Sequence, residues 1–309
     1  MSIAFVFPGQ GSQTVGMLQG FAQAQRVNDM MAQADRALGE PLTELIAQGP
    51  IETLSLTVNT QPAMLASSVA IYQLWLERGG VKPAMMAGHS LGEYSALTAA
   101  GVLSFDEAVR LVRYRATVMQ NVVPVGVGGM AALIGLDDAA VLKVCEEARD
   151  SGLVTPANFN APGQVVIAGE VAAIERAIEL AKAAGCRRAI SLPVSAPFHS
   201  PMMKEAGVAL LKRLADTPMQ EASVPVYRNV DAQLHGNVDS IRQKLSEQVY
   251  SSVEWVKIIE SMVAAGVTDI VECGPGKVLT GLIKRITPEV KLYNLTDEAA
   301  LNQALEALA

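Results

Sequence analysis

The sequence predicts an α/β fold: a hydrolase-like core with a parallel sheet flanked by helices, plus an inserted ferredoxin-like α+β subdomain. Half of the 309 residues are apolar and only 5% are aromatic. Alanine, valine, leucine and methionine are plentiful, which favours helices packed on a sheet over an all-β sandwich. Short apolar runs alternate with helical patterns along the chain. One internal segment has its own order of elements, which predicts the inserted unit.

The core is organised around a Gly-x-Ser-x-Gly corner formed by Gly88, Ser90 and Gly92. A short apolar strand precedes it and a helix follows, which is the pattern of a nucleophile elbow. Glycines are expected on both sides of the serine because a side chain there would collide with neighbouring backbone. The serine hydroxyl would be exposed beside the N–H groups of a helix N-terminus, where a negative oxygen is stabilised. The alternative is a tight strand–helix turn that happens to hold a serine.

The first strand, residues 3–7, ends in the glycine-rich loop 8–13. This loop lacks the lysine and hydroxyl residue of a P-loop, and its glycines do not fit the dinucleotide-binding spacing. We therefore expect it to bring backbone N–H groups close to another site.

Further elements of the core follow from periodicity and breaker residues. Residues 20–48 have a helical pattern with an expected stop at Leu38-Gly39, and Thr60 is expected to cap a long helix that contains Pro62. Strands are predicted at the following segments: 224–229, 268–272 and, as a short last strand, 291–295.

The predicted elements of the inserted unit have the order strand–helix–strand–strand–helix–strand, which is the order of a small ferredoxin-like fold. We assign residues 126–193 to this small subdomain. Residues 1–125 and 194–309 then form one discontinuous α/β catalytic subdomain.

Arg115 is predicted to lie on the apolar side of its helix, which is unusual for an arginine. Ser104 or Asp106 should begin a helix that carries Arg110, Arg113 and Arg115. Helical spacing places Arg115 well away from the other two and on the apolar side. An arginine there needs an anionic partner, because a buried charge is costly without one.

A serine nucleophile needs a base at neutral pH, and the chain has three histidines. His89 adjoins Ser90, so its side chain should point away from that of the serine. His235 lies in a polar, turn-like segment without apolar walls. His199 follows the inserted unit in a proline-constrained loop and is the best candidate. No carboxylate stands out as its partner, but a backbone carbonyl or an amide can also fix the histidine tautomer.

The bulk properties exclude several functional classes. The formal charge of −7 argues against nucleic-acid binding. The N-terminus lacks the features of a signal peptide, and no apolar run approaches a membrane span. Three scattered cysteines suggest reduced thiols and a cytoplasmic location, and the unclustered histidines make a metal site unexpected.

Several motifs fall in an order that resembles one known family. They are the following segments: Phe7–Gly11, Gln61-Pro62, Gly88–Glu93, Arg115 with Met119-Gln120, Asn158–Gly169, Phe198-His199, and Glu272 with Gly274–Gly276. Together they resemble the malonyl-CoA:acyl carrier protein transacylases of bacterial fatty-acid synthesis, over essentially the whole chain.

The resemblance implies a set of catalytic roles. Ser90 would carry the malonyl group as an ester, and His199 would act as base and then as acid. The backbone N–H groups of Gln10 and Leu91 would form the oxyanion hole. The backbone carbonyl of Gln248 would orient the histidine, which fits the missing acid.

The resemblance also implies how the acyl group is selected. Arg115 would hold the free malonyl carboxylate, ideally as a bidentate pair. Gln61 matches a pocket-lining position. Phe198 is bulky and should crowd an α-methyl group, which gives a preference for malonyl rather than strict exclusion.

The implied reaction is ping-pong acyl transfer, with a coenzyme A thioester as substrate and no bound cofactor or metal. The partners would be malonyl-CoA and, transiently, holo acyl carrier protein, with the enzyme a monomer. The acidic carrier would dock on local positive charge, for which the candidates are Arg187, Arg188, Lys277, Lys284 and Arg285.

Three alternatives stay open at this point. The first is a serine thioesterase or other hydrolase, in which water attacks the ester. The second is an acyltransferase that serves a polyketide or malonate-decarboxylase carrier protein. The third is a non-catalytic interaction protein, against which the intact Ser90, His199 and Arg115 count.

Overall fold

The computed structural model describes residues 2–194 and 196–309; Met1 and Ser195 lie outside the described residues. The strands, in chain order, are β1 (Ile3–Phe7), β2 (Met85–Gly88), β3 (Gly128–Ile134), β4 (Val154–Ala161), β5 (Gln164–Glu170), β6 (Arg188–Ser191), β7 (Asp269–Glu272) and β8 (Lys291–Asn294). The α-helices are α1 (Gln25–Leu38), α2 (Leu42–Gln48), α3 (Ile51–Leu54), α4 (Thr57–Glu77), α5 (Leu91–Ala99), α6 (Phe105–Asn121), α7 (Asp138–Glu147), α8 (Val171–Ala183), α9 (Lys204–Ala215), α10 (Val238–Gln248), α11 (Trp255–Ala264), α12 (Val278–Ile286) and α13 (Glu298–Leu308). Short 3₁₀ helices cover Gln19–Phe21, Ala148–Ser151 and Pro201–Met203.

The larger sheet is parallel and has the order β2-β1-β7-β8. Every residue of β1 is buried, as expected for a central parallel strand covered on both faces. Phe5 and Phe7 belong to the core on one face, whereas Ala4 and Val6 belong to the core on the other. The predicted parallel sheet flanked by helices is confirmed, and so is the short last strand.

The segment 224–229 does not form the predicted strand. Val226 makes a single bridge to Met86 of β2, and Tyr227 then bridges back to Leu234. Pro225 offers a carbonyl but no N–H, and the chain turns away after one contact. The prediction of a full strand here was therefore wrong.

Two helix predictions also need correction. The pattern over 20–48 is divided between a 3₁₀ turn, α1 and α2, with Gly39 (φ 68°) ending α1 as expected. Thr60 is not a cap, because α4 begins at Thr57 after Leu56. The Thr60 hydroxyl instead donates to the carbonyl oxygen of Leu54 at 2.6 Å.

The second sheet is antiparallel and has the order β4-β5-β3-β6. Helices α7 and α8 pack on it around a hydrophobic core that is separate from the two cores of the parallel sheet. This arrangement confirms the ferredoxin-like α+β unit. Its boundaries at 126 and 193 stay a prediction. Backbone hydrogen bonds of Val253 with Ala157 and Phe159 join the unit to the rest of the chain.

The corner between β2 and α5 requires glycine at two positions. A Cβ atom on Gly88 would lie 1.9 Å from the backbone of Gly92. A Cβ atom on Gly92 would lie 2.0 Å from the carbonyl oxygen of Phe7. Both distances are far below van der Waals contact, so the strand and the helix can approach only because neither residue has a side chain. The predicted reason for these glycines is confirmed.

In the described part of the chain, no helix is both long enough and apolar enough to cross a membrane.

We expect Gly92→Ala to lower the free energy of unfolding by about 3 kcal/mol, because overpacking against fixed backbone forces the elbow apart. Urea unfolding followed by circular dichroism measures the change. Gly281→Ala is the matched control, since Gly281 is a helical glycine whose Cβ would meet nothing within 4 Å. That variant should be neutral or more stable by about 0.5–1 kcal/mol. Equal effects of the two substitutions would contradict the packing argument.

Candidate active site

Ser90 lies at the tip of the corner, in a backbone conformation that side-chain-bearing residues rarely adopt (φ 51°, ψ −108°). Asn229 holds this conformation. Its side-chain oxygen accepts from the backbone N–H of Ser90 at 2.7 Å, and its amide nitrogen donates to the carbonyl of Gly88 at 2.7 Å. Asn229 is fully buried, so a single side chain fixes both sides of the turn.

Ser90 and His199 are in direct contact, with 2.7 Å between Oγ and Nε2. The other ring nitrogen, Nδ1, lies 2.8 Å from the backbone carbonyl oxygen of Gln248. A carbonyl can only accept, so Nδ1 carries the proton and Nε2 is free to accept the proton of the serine hydroxyl. The structure thus brings the predicted nucleophile and base together, and a carbonyl stands where many hydrolases have an acid.

The environment of His199 keeps the imidazole neutral. The residue is 4% exposed and its backbone has φ 61°. Burial, as the larger cause, and the charge of Arg115 together lower the pKa of His199 to about 3, although the hydrogen bond to the Gln248 carbonyl opposes the shift. At neutral pH the ring is therefore in the form that a general base needs.

Arg115 projects from α6 into the interior and is 1% exposed. One terminal nitrogen donates to the side-chain oxygen of Gln61 at 2.7 Å. The other donates to the side-chain oxygen of Gln248 at 2.8 Å and to Ser90 Oγ at 3.2 Å. The guanidinium carbon lies 5.1 Å from the centre of the Tyr94 ring. The predicted placement on an apolar helix side is thus correct.

No carboxylate forms an ion pair with Arg115 within the described residues, although the sequence predicts an anionic partner. Its side-chain partners are neutral amide and hydroxyl oxygens. Burial lowers the pKa of the guanidinium, and the nearby Tyr94 and Glu93 oppose that shift. Arginine stays charged at neutral pH, so a buried cation lies beside Ser90 with no anion in contact from the described part of the chain.

A pocket with a volume of about 130 Å³ opens beside the serine. Its lining includes seven of the eight site residues predicted from the sequence: Gln10, Gln61, Ser90, Leu91, Arg115, Phe198 and His199. Gln248, the eighth, is fully buried and contacts the site through His199 and Arg115. Asn158 also lines the pocket and is 7% exposed. The motif Asn158–Gly169 gives no sign in the sequence that this side chain lines a pocket.

The loop after β1 lies against the corner, as the sequence predicts. A Cβ atom on Gly9 would be 3.8 Å from the backbone nitrogen of Leu91. Across residues 2–194 and 196–309, the N–H groups of Gln10 and Leu91 donate no hydrogen bond, whereas the Gln10 side chain accepts from Thr57 at 2.9 Å. Two N–H groups beside the serine are therefore available to an oxyanion.

The two remaining histidines have other partners. His89 Nε2 lies 2.7 Å from the side-chain oxygen of Asn160 on β4, so it is turned away from the serine hydroxyl as predicted. The expectation that His235 has no apolar walls was wrong, because its side chain is buried and contacts Glu93 Oε1 at 2.7 Å. Its chain segment is polar, but the ring packs inward against the helix that follows Ser90. As the sequence predicts, it is His199 and not His235 that contacts Ser90.

An elbow serine bonded to a histidine is the constellation of enzymes that transfer acyl groups through a serine. Residues 4–286 match the family described as "Acyl transferase domain". The chain therefore belongs to this family of acyltransferases, and the enzyme class expected from its motifs is confirmed.

Similar proteins and solved structures indicate which kind of acyltransferase this chain resembles. The malonyl CoA-acyl carrier protein transacylase of Escherichia coli (strain K12) is 53% identical over 304 residues, which cover 98% of each chain. A crystal structure of an acyl-carrier-protein S-malonyltransferase from Burkholderia pseudomallei has a TM-score of 0.98 at 49% identity, covering 99% of this chain and 100% of that one. A malonyl-transacylase in complex with a type II PKS acyl-carrier protein has a TM-score of 0.98 at 46% identity, covering 99% and 100%. The resemblance drawn from the sequence motifs is thus confirmed.

The low pKa of His199 predicts an unusual pH profile for acylation of the serine. For the free enzyme, kcat/KM should stay level from pH 7.5 to well below 6.5, because the base loses its function only when it is protonated. Stopped-flow or quenched acylation by malonyl-CoA measures this. A loss of activity at acidic pH with its midpoint at or above 6.5 would contradict the lowered pKa of His199.

A variant that lacks the Arg115 charge tests whether that charge lowers the pH midpoint of acylation. Arg115→Met removes a cation that lowers the pKa of His199. The midpoint for acylation by acetyl-CoA, which has no carboxylate to bind, should therefore move upward in this variant.

Proposed function

We propose that this protein transfers the malonyl group of malonyl-CoA to the phosphopantetheine thiol of holo acyl carrier protein through a Ser90 ester, and so supplies fatty-acid biosynthesis. The observation that carries the proposal is Arg115: a buried cation that has no carboxylate in contact among the residues the structure describes, and that lies 3.2 Å from the serine oxygen. The names of the full-length relatives support the substrate and the acceptor.

In the first half-reaction, His199 Nε2 accepts the proton of Ser90 as Oγ attacks the thioester carbonyl carbon. Negative charge develops on the carbonyl oxygen, where the N–H groups of Gln10 and Leu91 can donate to it. The tetrahedral intermediate collapses as the carbon–sulfur bond breaks. The proton held by His199 passes to the departing sulfur, and coenzyme A leaves as a thiol.

The second half-reaction reverses these steps with a new thiol. His199 accepts the proton of the phosphopantetheine thiol as the sulfur attacks the malonyl ester. The same two N–H groups stabilise the intermediate, and the proton returns to Ser90 Oγ as the ester bond breaks. Serine and histidine supply the nucleophile and the proton transfers, so the proposal needs no bound cofactor or metal.

The acyl group is selected by charge and by size. The carboxylate of the malonyl group binds Arg115, whose guanidinium is already held by the oxygens of Gln61 and Gln248. A charge-assisted bidentate pair of this kind is among the stronger polar contacts. Phe198 lines the same pocket and crowds an α-methyl group, a discrimination worth about 1–3 kcal/mol.

The proposal includes a monomeric enzyme in the cytoplasm that meets its carrier protein only transiently. Positive charge on the surface would attract an acidic carrier. Arg285, one of the predicted docking residues, instead donates to the carbonyl of Pro162 at 2.8 Å and to the side chain of Gln164. It therefore joins α12 to the β4–β5 turn, but its partners are neutral and it keeps its positive charge. The proposed docking residues stay Arg187, Arg188, Lys277, Lys284 and Arg285.

A second acceptor deserves a test because one relative is described with a polyketide carrier protein. The serine, the histidine and the arginine would do the same chemistry with either carrier. Transfer rates to a fatty-acid carrier and to a type II polyketide carrier, measured side by side, separate the two functions.

Intact mass spectrometry tests the proposed transfer directly. Incubation with malonyl-CoA should add one malonyl group to the protein, and holo acyl carrier protein should then remove it and carry the same mass increase. Ser90→Ala should show no adduct. An adduct elsewhere, or release of free malonate faster than transfer, would favour a hydrolase over a transferase.

Arg115→Ala tests the carboxylate site. We expect malonyl loading, measured as kcat/KM, to fall about 10²- to 10³-fold, because hydrogen bonds to a charged group contribute about 1.5–3 kcal/mol each. Acetyl loading should stay the same or rise, since acetyl has no carboxylate. Unchanged malonyl loading, or an equal loss for the two acyl groups, would remove Arg115 from the proposed role.

A further inference from the structure

A buried carboxylate lies behind the site and has no part in the mechanism described above. Glu93 is in the first turn of α5, three residues after Ser90, and is 0% exposed. Its Oε1 accepts from His235 Nε2 at 2.7 Å. Its Oε2 accepts from the backbone N–H of Asn229 at 3.0 Å and from the side-chain amide of Gln248 at 2.7 Å. Both oxygens are therefore fully engaged by donors.

Glu93 helps to determine which way the Gln248 amide faces. A carboxylate only accepts hydrogen bonds, so the NH₂ group of Gln248 must face it. The same NH₂ group donates to the backbone carbonyl of Ser90 at 3.0 Å. The amide oxygen is thereby directed at Arg115, whose Nη2 donates to it at 2.8 Å. The opposite orientation would set two donors against each other and two acceptors against each other.

The Gln248 oxygen in turn helps to fix the plane of the guanidinium. Gln61 accepts from Nη1, and Gln248 accepts from Nη2. Since the guanidinium is planar, two acceptors on different nitrogens determine the direction of its remaining N–H groups. The orientation of Arg115 in the pocket therefore depends on Gln248, and that of Gln248 depends on Glu93.

We propose that Glu93 is a positioning residue for acyl selection: through the Gln248 amide it holds Arg115 in the orientation that binds a carboxylate-bearing acyl group. Glu93 does not touch the substrate in this scheme. The inference rests on the proposed function, because it assumes that Arg115 binds the malonyl carboxylate.

The charge of Glu93 and its effect on the orientation of Arg115 predict opposite results when Glu93 is replaced. On charge alone, loss of a nearby anion would favour an anionic acyl group at Arg115. On orientation, a neutral side chain that can also donate weakens the constraint that directs the Gln248 amide oxygen at the guanidinium, and only the Ser90 carbonyl then holds the NH₂ group in place. Faster malonyl loading after removal of Glu93 would therefore indicate the charge effect, and slower malonyl loading would indicate the orientation effect.

The test is Glu93→Gln, which preserves shape and removes the charge. Acylation of Ser90 is followed by intact mass spectrometry with malonyl-CoA and, separately, with acetyl-CoA. We expect kcat/KM for malonyl loading to fall about 10- to 100-fold, in the range of a lost charge-assisted contact, while acetyl loading changes less than about threefold. In an Arg115→Ala background the same substitution should have no further effect on malonyl loading, because coupled residues are not additive.

Glu272→Gln is the matched control for the loss of a buried carboxylate. Glu272 on β7 is 1% exposed and accepts from the backbone N–H of Leu279 at 3.0 Å and from Thr280 at 2.7 Å. Its replacement should lower Tm without altering the ratio of malonyl to acetyl loading. A changed ratio in this control would overturn the assignment to Glu93, because the effect would then be a general one.

Three outcomes for Glu93→Gln itself would overturn the proposal: faster malonyl loading, an equal loss for both acyl groups, or an additive loss in the Arg115→Ala background. If Glu93→Gln does not fold, Gln248→Met decides, since it removes the amide and keeps the backbone carbonyl bonded to His199. It should lower malonyl loading more than acetyl loading, and an unchanged ratio of the two would overturn the proposal. Failure of the proposed function would appear differently, as an Arg115→Ala variant that loads malonyl normally.

Discussion

The strained backbone of Ser90 is the constraint on which the rest of the site depends. A residue with a side chain at φ 51° costs about 1–3 kcal/mol relative to a relaxed conformation. It persists because Gly88 and Gly92 let β2 and α5 approach within backbone contact, and because Asn229 bonds to both sides of the turn. The hydroxyl is thereby held against His199 while the N–H of Leu91 stays available to the substrate.

In the proposed function, electrostatics determines which acyl group the site prefers. The interior stabilises Arg115 with amide oxygens, a hydroxyl and an aromatic ring, none of which carries a full negative charge. A protein carboxylate in direct contact would neutralise the cation and compete with a ligand for it. Glu93 is kept one residue removed, behind the Gln248 amide. This separation leaves the guanidinium charge accessible in the pocket and still gives the buried cation an anion nearby.

The sequence predicts most of the catalytic residues because their signals are local. The elbow, the proline-bound His199 and the helical position of Arg115 can each be read within a short window of the chain. Asn229 and His235 could not be found in this way, since their contacts with Ser90 and Glu93 join residues 139 and 142 positions apart. Such pairings are set by tertiary packing and leave no periodic signal.

The errors in the secondary structure have a similar origin. The apolar pattern at 224–229 has the composition of a strand, but whether it pairs depends on the free edge of β2 and on the turn that follows. At the start of α4, the hydroxyl of Thr60 bonds backward to a carbonyl rather than forward to an N–H. The choice between those two partners was decided by the preceding helix α3, which the pattern of Thr60 and Pro62 does not reveal.

The carbonyl that orients His199 has a consequence for the direction of the chemistry. A carboxylate in that position would stabilise the imidazolium that forms during proton transfer, whereas a neutral carbonyl does so only through its dipole. In the proposed mechanism the protonated ring would therefore give up its proton readily, either to a departing thiol or to Ser90 Oγ. The transfer would then run in both directions, with its net direction set by the relative amounts of the two thioesters and the two free thiols.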